Sequence, residues 1–383
     1  MKYSPRIFLI VALSVFVGLC VAYIFAFESI LGSPRLNDEY WTRALYDYKH
    51  YAAKEIEGPK LVVLSGSNSL FGVNSDLLEA RMERETVNLA IHADMDINFL
   101  YQQASDVLSE GDLLVMPLEY SYYNATKTLT LEFVLYMTAF GDDIYLRKLS
   151  LIDYLMFIKD VPKTRVWRGL VEPLHAKRLR LGQKVLYTGP EGIVSDVLRN
   201  NQRLKRVVYT DYSHKSLNLK GDIVASRSAH KVVHDIVNLP DKHEPYLNLE
   251  GGLSDHFIRH FKRIQALAEE RKAQLVLTWP VSIRHAGLDL TTQKDQLRIE
   301  RLISLLSDNG IEIQCNPAFF NLDYRLFYDT AYHLNERGSI LRTEALAQCL
   351  SQLDDEKPKS QLPIDWEKSL KTVRYHESRM LSR

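Results

Sequence analysis

Short runs of consecutive apolar residues alternate with longer segments of helical periodicity over much of this chain. The runs predict strands at residues 60–64, 86–89, 112–118, 274–279 and 311–314. The periodic segments predict helices at 75–84, 94–108, 254–272, 293–308 and 335–353. Apolar strands that alternate with helices are typical of a parallel sheet covered on both faces, so we predict an α/β fold. In such sheets functional groups collect where the strands end, which directs attention to the residues after each run.

The N-terminal segment has a different pattern, with no charge between residues 7 and 27. At 1.5 Å per residue this apolar helix would span roughly 30 Å, the thickness of the hydrocarbon core of a bilayer. The run is longer than the ~7–15 residues typical of a signal peptide, and no small-residue cleavage site follows, so we predict an uncleaved transmembrane anchor. Lys2 and Arg6 precede the run, which places the N-terminus in the cytoplasm and the rest of the chain across the membrane.

These patterns divide the chain into four parts. Residues 1–28 form the cytoplasmic start and the anchor, 29–58 a polar and aromatic helical stalk, 59–353 the α/β domain, and 354–383 a polar tail. Within the domain the strand–helix alternation lapses at residues 120–252, which we interpret as a large insertion. Its most apolar piece, residues 149–158, is a core helix, a membrane-facing surface or a surface for a membrane-protein partner, and we favour the core helix.

Composition narrows the classes of function. The 48 basic and 48 acidic residues balance, so nothing indicates a nucleic-acid partner. Cys315 and Cys349 lie in the exported part, where a disulfide can persist, but the sequence does not give their distance. His230 and His234 have the i, i+4 spacing of metal ligands on a helix, yet no third ligand is evident. We therefore predict neither a metal nor any other cofactor.

Two stretches carry candidate chemistry. The first, "LVVLSGSNSLFG", ends an apolar strand in three serines, two glycines and an asparagine. The second, "FYDTAYHLNERG", holds Asp329 and His333 in one loop before the last predicted helix, which Asn335 can cap. An imidazole oriented by a nearby carboxylate is suited to act as a general base.

Together these stretches resemble the SGNH/GDSL hydrolase superfamily, particularly its membrane-anchored members associated with bacterial envelope polysaccharides. The resemblance covers roughly residues 60–118 and 252–353 and is clearest in "SGSNSLFG" and "YDTAYHLNERG". It implies a flavodoxin-like three-layer α/β/α sandwich, with a nucleophilic serine after the first strand and an Asp and a His before the last helix. The family spacing is Asp-x-x-His, and here one more residue separates Asp329 from His333.

The nucleophile depends on which glycine sets the register. If Gly66 takes the place of the family glycine, the nucleophile position falls on Asn68 and the site is inactive. If Gly72 is the reference, as in relatives that read Gly-Ser-Ser-x-x-x-x-Gly, the position falls on Ser67. We favour the second register because it preserves a hydroxyl. Ser69 is a further candidate, placed deeper in the following turn.

Other site positions depart from the family pattern. Asn88 follows the second predicted strand, where the family has an oxyanion donor, and Glu119 stands where the family has an asparagine. A carboxylate cannot donate a hydrogen bond unless protonated, so Glu119 either binds substrate or a base such as Arg342, or holds the adjacent loop. Trp279 ends the fourth strand and could stack on a sugar face, although tryptophan more often packs in a core.

The resemblance therefore implies a membrane-anchored esterase or O-acyltransferase that uses Ser67, His333 and Asp329. Asn68, Ser69, Asn88, Glu119 and Trp279 would bind substrate or the oxyanion. The substrate would be a cell-envelope polysaccharide or acyl ester. The location would be the bacterial inner membrane, single-pass, with the domain on the periplasmic or extracytoplasmic side. The alternative is a catalytically inactive protein of the same fold that binds polysaccharide or assists assembly.

Overall fold

The structure is a computed structural model that describes residues 5–31, 40–123, 129–171, 188–204, 207, 212–223, 247–285, 287–353 and 363–382. The helices are α1 (Pro5–Glu28), α2 (Tyr40–Glu55), α3 (Ser67–Gly72), α4 (Ser75–Met82), α5 (Ile97–Val107), α6 (Leu131–Phe140), α7 (Leu151–Asp160), α8 (Lys163–Val171), α9 (Gly189–Arg203), α10 (Asp255–Glu270), α11 (Gln293–Asp308), α12 (Glu336–Leu353) and α13 (Trp366–Leu381). The strands are β1 (Leu61–Val63), β2 (Thr86–Asn88), β3 (Leu113–Pro117), β4 (Gln274–Thr278), β5 (Ser282–Ile283) and β6 (Asn321–Leu322).

The chain divides into two compact units. One comprises Met1–Arg43 and Leu129–Thr188, and the other comprises Ala44–Thr128 and Gly189–Arg383. The first unit contains α1, which is long and apolar enough to span a membrane. This agrees with a single-pass anchor.

The second unit is built on a parallel sheet with strand order β2-β1-β3-β4. β1 is central and fully buried, with Val62 paired to Val87 on one side and to Leu114 on the other. Consecutive β-branched and aliphatic residues suit a strand that is buried on both faces, which explains why these runs do not alternate with polar residues. The α/β class with a parallel sheet is therefore confirmed.

Helices α4 and α5 begin where the sequence supplies a capping side chain. Asn74 accepts a hydrogen bond from the Leu77 amide, and Asp96 accepts one from the Asn98 amide. α4 packs against α12, and α5 packs against α10. In chain order, α3 and α4 come after β1, and the loop before α5 comes after β2. Both segments thus begin at the carboxyl edge of the sheet.

Four segments differ from the sequence prediction. Residues 311–314 form only an isolated parallel bridge, between Ile313 and Leu277. The helix predicted as a stalk, α2, is largely buried from residue 44 onward and belongs to the core of its unit. The predicted polar tail contains α13, which packs on α12, and Glu377 of that helix pairs with Arg284 at 3.0 Å. Residues 149–158 contribute to α7, whose outer face is exposed rather than packed in a core.

A disulfide joins Cys315 to Cys349, so the pairing that the sequence left open is formed. It links the segment after the Ile313 bridge to α12. The residues between the two cysteines include both Asp329 and His333.

Candidate active site

Two glycines allow the backbone after β1 to approach its neighbours closely. A Cβ at Gly66 would lie 2.6 Å from the Ala93 Cα atom and would also clash with the Glu119 carboxylate. A Cβ at Gly72 would lie 2.7 Å from a guanidinium nitrogen of Arg342. Both glycines are thus required by packing, at the start and the end of α3, and neither alone sets the register of a nucleophile.

Asn68 points into the protein and not into a cleft. Its side-chain amide donates to the Pro117 carbonyl at 2.9 Å and to Ser65 Oγ at 3.3 Å. Its Oδ1 atom accepts from Arg342 Nη2 at 2.8 Å, and its backbone carbonyl accepts from Arg342 Nη1 at 2.9 Å. Asn68 is fully buried, and these hydrogen bonds fix the first turn of α3 in place.

Glu119 holds the same turn from the opposite side. Its carboxylate accepts hydrogen bonds from the Gly66 amide at 3.1 Å and the Asn68 amide at 3.0 Å, and it is fully buried. Negative charge is favourable at these N–H groups because they lie at the start of α3. Of the two interpretations of Glu119, the geometry matches a carboxylate that holds the adjacent loop. The backbone N–H of Asn68 is therefore already hydrogen-bonded to Glu119.

Arg342 provides the buried positive charge beside this turn. Burial lowers the pKa of the Arg342 guanidinium to about 9, while the Glu119 charge opposes that shift. Arg342 and Glu119 are joined through Asn68, and no ion pair forms between their side chains. We refer to Glu119, Asn68 and Arg342 as the α3 anchor.

The three serines of the turn have different environments. Ser65 and Ser69 are fully buried, and the Ser65 hydroxyl donates to Ser69 Oγ at 2.6 Å. Ser67, at the first position of α3, has no hydrogen-bond partner for its hydroxyl among the described residues, and 6% of the residue is exposed. As the first helical residue, its N–H has no intrahelical acceptor. Ser67 is therefore the serine whose polar groups are not used to build the fold.

Asp329 and His333 form a hydrogen-bonded pair. His333 Nδ1 lies 2.8 Å from Asp329 Oδ1, and the Thr330 hydroxyl accepts from the His333 amide at 3.1 Å. An ionised carboxylate only accepts, so the proton lies on Nδ1 and the opposite nitrogen, Nε2, is left as a base. Burial raises the pKa of Asp329, but the His333 contact, with help from Tyr212, outweighs it and holds that pKa below its usual range.

Tyr212 completes this pair and was not predicted from the sequence. Its hydroxyl lies 2.8 Å from Asp329 Oδ2 and 3.1 Å from His333 Nδ1. It comes from the region interpreted as an insertion, and no nearby motif marks it. Only the fold brings it to the loop of Asp329 and His333.

Phe71 brings the histidine to α3. The His333 ring stacks on Phe71 with centroids 4.1 Å apart and planes 18° apart. Phe71 lies four residues after Ser67, so the two side chains share one face of the short helix. Ser67 and His333 are thus placed at the same face of α3 without a hydrogen bond between them. Catalytic hydrogen bonds are often long before substrate binds.

Two predicted site residues serve the interior instead. The Asn88 amide donates to the Ser69 carbonyl at 2.8 Å and to Asp222 at 2.9 Å, and its oxygen accepts from the Ala90 amide. Trp279 is fully buried and its indole N–H donates to the Cys315 carbonyl at 2.6 Å. Trp279 is therefore a core residue and presents no surface for a sugar. His230 and His234 lie outside the described residues.

Asp222 and Lys49 hydrogen-bond Asn88, and Asp222 also hydrogen-bonds Ser75 at the start of α4. Asp222 accepts hydrogen bonds from Asn88 and from the amide and hydroxyl of Ser75. Lys49 is fully buried, and its amine donates to the carbonyls of Asn88 and Gly221. Burial lowers the pKa of Lys49 to about 7, partly offset by the Asp222 charge.

Lys49 predicts a pH dependence of stability. Unfolded Lys49 stays protonated up to a pH of roughly 10, whereas the buried amine loses its proton near pH 7. The unfolded state therefore binds more protons between these values, and the free energy of unfolding rises with pH by up to about 1.4 kcal/mol per unit. Urea unfolding at pH 7, 8 and 9 should show this slope in the parent and lose it in Lys49→Met. An equal slope in both proteins would contradict the assignment.

Comparison with known proteins does not add to this geometry. No protein-family model matches the chain, and no curated protein matches it either.

Proposed function

We propose that this protein is a membrane-anchored, outward-facing SGNH-like serine esterase or O-acyltransferase that acts on cell-envelope polysaccharide. The observation that carries the proposal is the Asp329–His333 pair at 2.8 Å, whose imidazole stacks on Phe71 of α3. The first residue of that helix is Ser67, whose hydroxyl has no partner among the residues that the structure describes. A nucleophile, a base and a group that orients the base are the parts that acyl transfer requires. The polysaccharide substrate rests on the resemblance in sequence alone.

The mechanism follows from the tautomer of His333. Nε2 takes the proton of Ser67 Oγ as the oxygen attacks an ester carbonyl, and returns it to the departing alcohol. The resulting acyl-serine is then attacked by water, for an esterase, or by a sugar hydroxyl, for a transferase. Asp329 stabilises the imidazolium that forms in each step, and the Ser67 N–H at the start of α3 is a donor for the oxyanion.

The strand order supports the finer proposal for the fold. A flavodoxin-like sheet has the order 2-1-3-4-5. Here β2-β1-β3-β4 matches the first four positions, and the Ile313 bridge lies beside β4 where a fifth strand would pair. We propose a three-layer sandwich with residues 120–252 inserted, held at the bacterial inner membrane by α1.

A specific observation favours the alternative of a polysaccharide-binding or assembly protein without catalysis. The backbone N–H of Asn68 donates to Glu119, and the Asn88 side chain donates to the Ser69 carbonyl and to Asp222. These are groups from which an oxyanion hole would draw its donors. If the Ser67 N–H is not sufficient, the fold would hold a ligand without turning it over.

A fluorophosphonate probe separates the two candidates, since it labels only serines that a base activates. We expect one adduct on the full-length chain, assigned to Ser67 by fragmentation of the tryptic peptide, and none after heat denaturation. His333→Gln should abolish labelling. Ser304→Ala, which changes an exposed serine on α11, should leave it intact. No adduct on the folded parent would favour the binding protein.

A further inference from the structure

Helix α7 carries a continuous apolar face that is exposed. Leu151 and Ile152 are 73% and 74% exposed, and Leu155 and Met156 are 44% and 50% exposed. Positions i, i+1, i+4 and i+5 lie on one side of a helix, so these four side chains adjoin. We refer to them as the α7 patch. Phe157, on the opposite side of the helix, is buried, so α7 already has a core face and the patch is additional.

The same helix packs on the end of α1. The Phe27 ring contacts those of Tyr154 and Phe157, with centroids 6.1 Å and 6.3 Å apart. The Tyr154 hydroxyl also hydrogen-bonds the Glu28 carboxylate. Phe27, which is fully buried, and Glu28 are the last two residues of α1, and most of the preceding part of the helix is exposed. α7 therefore packs against the C-terminal end of α1.

This contact places α7 beside the end of α1, the helix that would span the membrane. No residue in the most apolar 18-residue window of α1 is buried inside the protein, so these side chains need lipid around them. Phe27 and Glu28, which α7 contacts, come at the end of that apolar stretch. α7 therefore lies at the level where α1 leaves the hydrocarbon, where interfacial helices bury an apolar face by roughly 5–10 Å.

Two further exposed side chains of this unit are of types that occur at membrane–water interfaces. Trp167 is 67% exposed on α8, a helix that also packs against α1. Tryptophan is enriched at membrane–water interfaces. Lys159 is exposed at the end of the α7 patch, where a long stem can lie along lipid while the amine reaches the headgroups.

We propose that the α7 patch and Trp167 lie in the interfacial layer of the membrane that α1 crosses, so that the protein is held by a second, monotopic contact besides its anchor. The partner is the lipid bilayer itself. The continuity with α1 through Phe27 and Glu28 distinguishes this from an apolar patch elsewhere on the surface, which a second protein chain could equally cover.

The test measures the depth of a label at residue 152 in the full-length chain. In a Cys20→Ala background, Ile152→Cys is labelled with an environment-sensitive fluorophore, since Cys20 is the free cysteine among the described residues. Discs that hold one copy of the protein contain lipids with a nitroxide near the headgroup, and iodide is the aqueous quencher. The control is the same label at Leu297, an exposed leucine on α11 (57% exposed).

We expect the shallow nitroxide to quench the label at residue 152 and iodide to quench it severalfold less than the label at residue 297. Iodide quenching equal to that of the control, without lipid quenching, would overturn the proposal. Protection from iodide in crowded proteoliposomes but not in single-copy discs would also overturn it, because the patch would then be covered by a second copy. Met156→Cys should repeat the result from the same face.

Discussion

Replacement of Ser67 by alanine is expected to lower kcat/KM for a chromogenic acetyl ester by about 10⁴–10⁶-fold, the loss seen when a member of a serine–histidine machinery is removed. The Ser67 hydroxyl makes no hydrogen bond in the described structure, so the change should leave the free energy of unfolding nearly unaltered. Steady-state hydrolysis by the detergent-solubilised chain, alongside urea unfolding, measures both quantities.

Asp329→Asn is a second test of the same catalytic arrangement. It keeps the side-chain shape but removes the charge that fixes the His333 tautomer, and we expect a loss of about 10⁴-fold. Activity that survives Ser67→Ala would show that the Ser67 register is wrong. Activity that is absent from the parent would instead support the binding protein.

Replacement of Arg342 by leucine is expected to lower the free energy of unfolding by about 3–5 kcal/mol, the cost of breaking a buried charged network from one side. The change would remove the Arg342 donors of the Asn68 carbonyl and Oδ1, leaving Oδ1 only a long contact from the Ser69 hydroxyl at 3.4 Å, and would leave the Glu119 carboxylate without its buried counter-charge. Both losses fall on fully buried groups, where an unpaired polar atom is most costly. Urea unfolding followed by tryptophan fluorescence provides the measurement.

Arg81→Leu is the control for the α3 anchor. Arg81 pairs with Glu344 of α12, the helix that also carries Arg342, but both partners are exposed (53% and 40% of their side chains). Exposed ion pairs add little to stability, so this variant should unfold close to the parent. Similar losses in the two variants would mean that Arg342 matters only as a part of α12 and not through Asn68.

The strands and most helices could be predicted because burial and capping are local in sequence. Asn74 and Asp96 are recognisable as caps, and the run at β1 is apolar because both faces are covered. The strand predicted at Ile313 was less well determined, since a short apolar run specifies burial but not how many hydrogen bonds its backbone will form. A core helix was favoured for residues 149–158, but several apolar side chains of α7 are exposed, because apolarity alone does not specify how much of a helix the protein itself covers.

The site was only partly predictable for a related reason. Asp329 and His333 are close in sequence, so their pairing follows from one loop. Glu119, Asn68 and Arg342 are separated by up to 274 residues, and which of them faces inward is decided by packing. Tyr212 reaches the pair from a distant segment without any motif. Trp279 was open to two interpretations, and the carbonyl of Cys315 decides between them.

The Cys315–Cys349 bond affects how the protein must be handled. It spans 34 residues and encloses the whole loop of Asp329 and His333, and closing a loop of that length restricts the unfolded chain by an amount of the order of 3–4 kcal/mol. Protein produced in a reducing cytosol, or kept in dithiothreitol, would lack this disulfide, and the loop of Asp329 and His333 would no longer be restrained by it. Thiol-free buffers and an oxidising production host are therefore required before a negative activity assay is counted against the proposed catalysis.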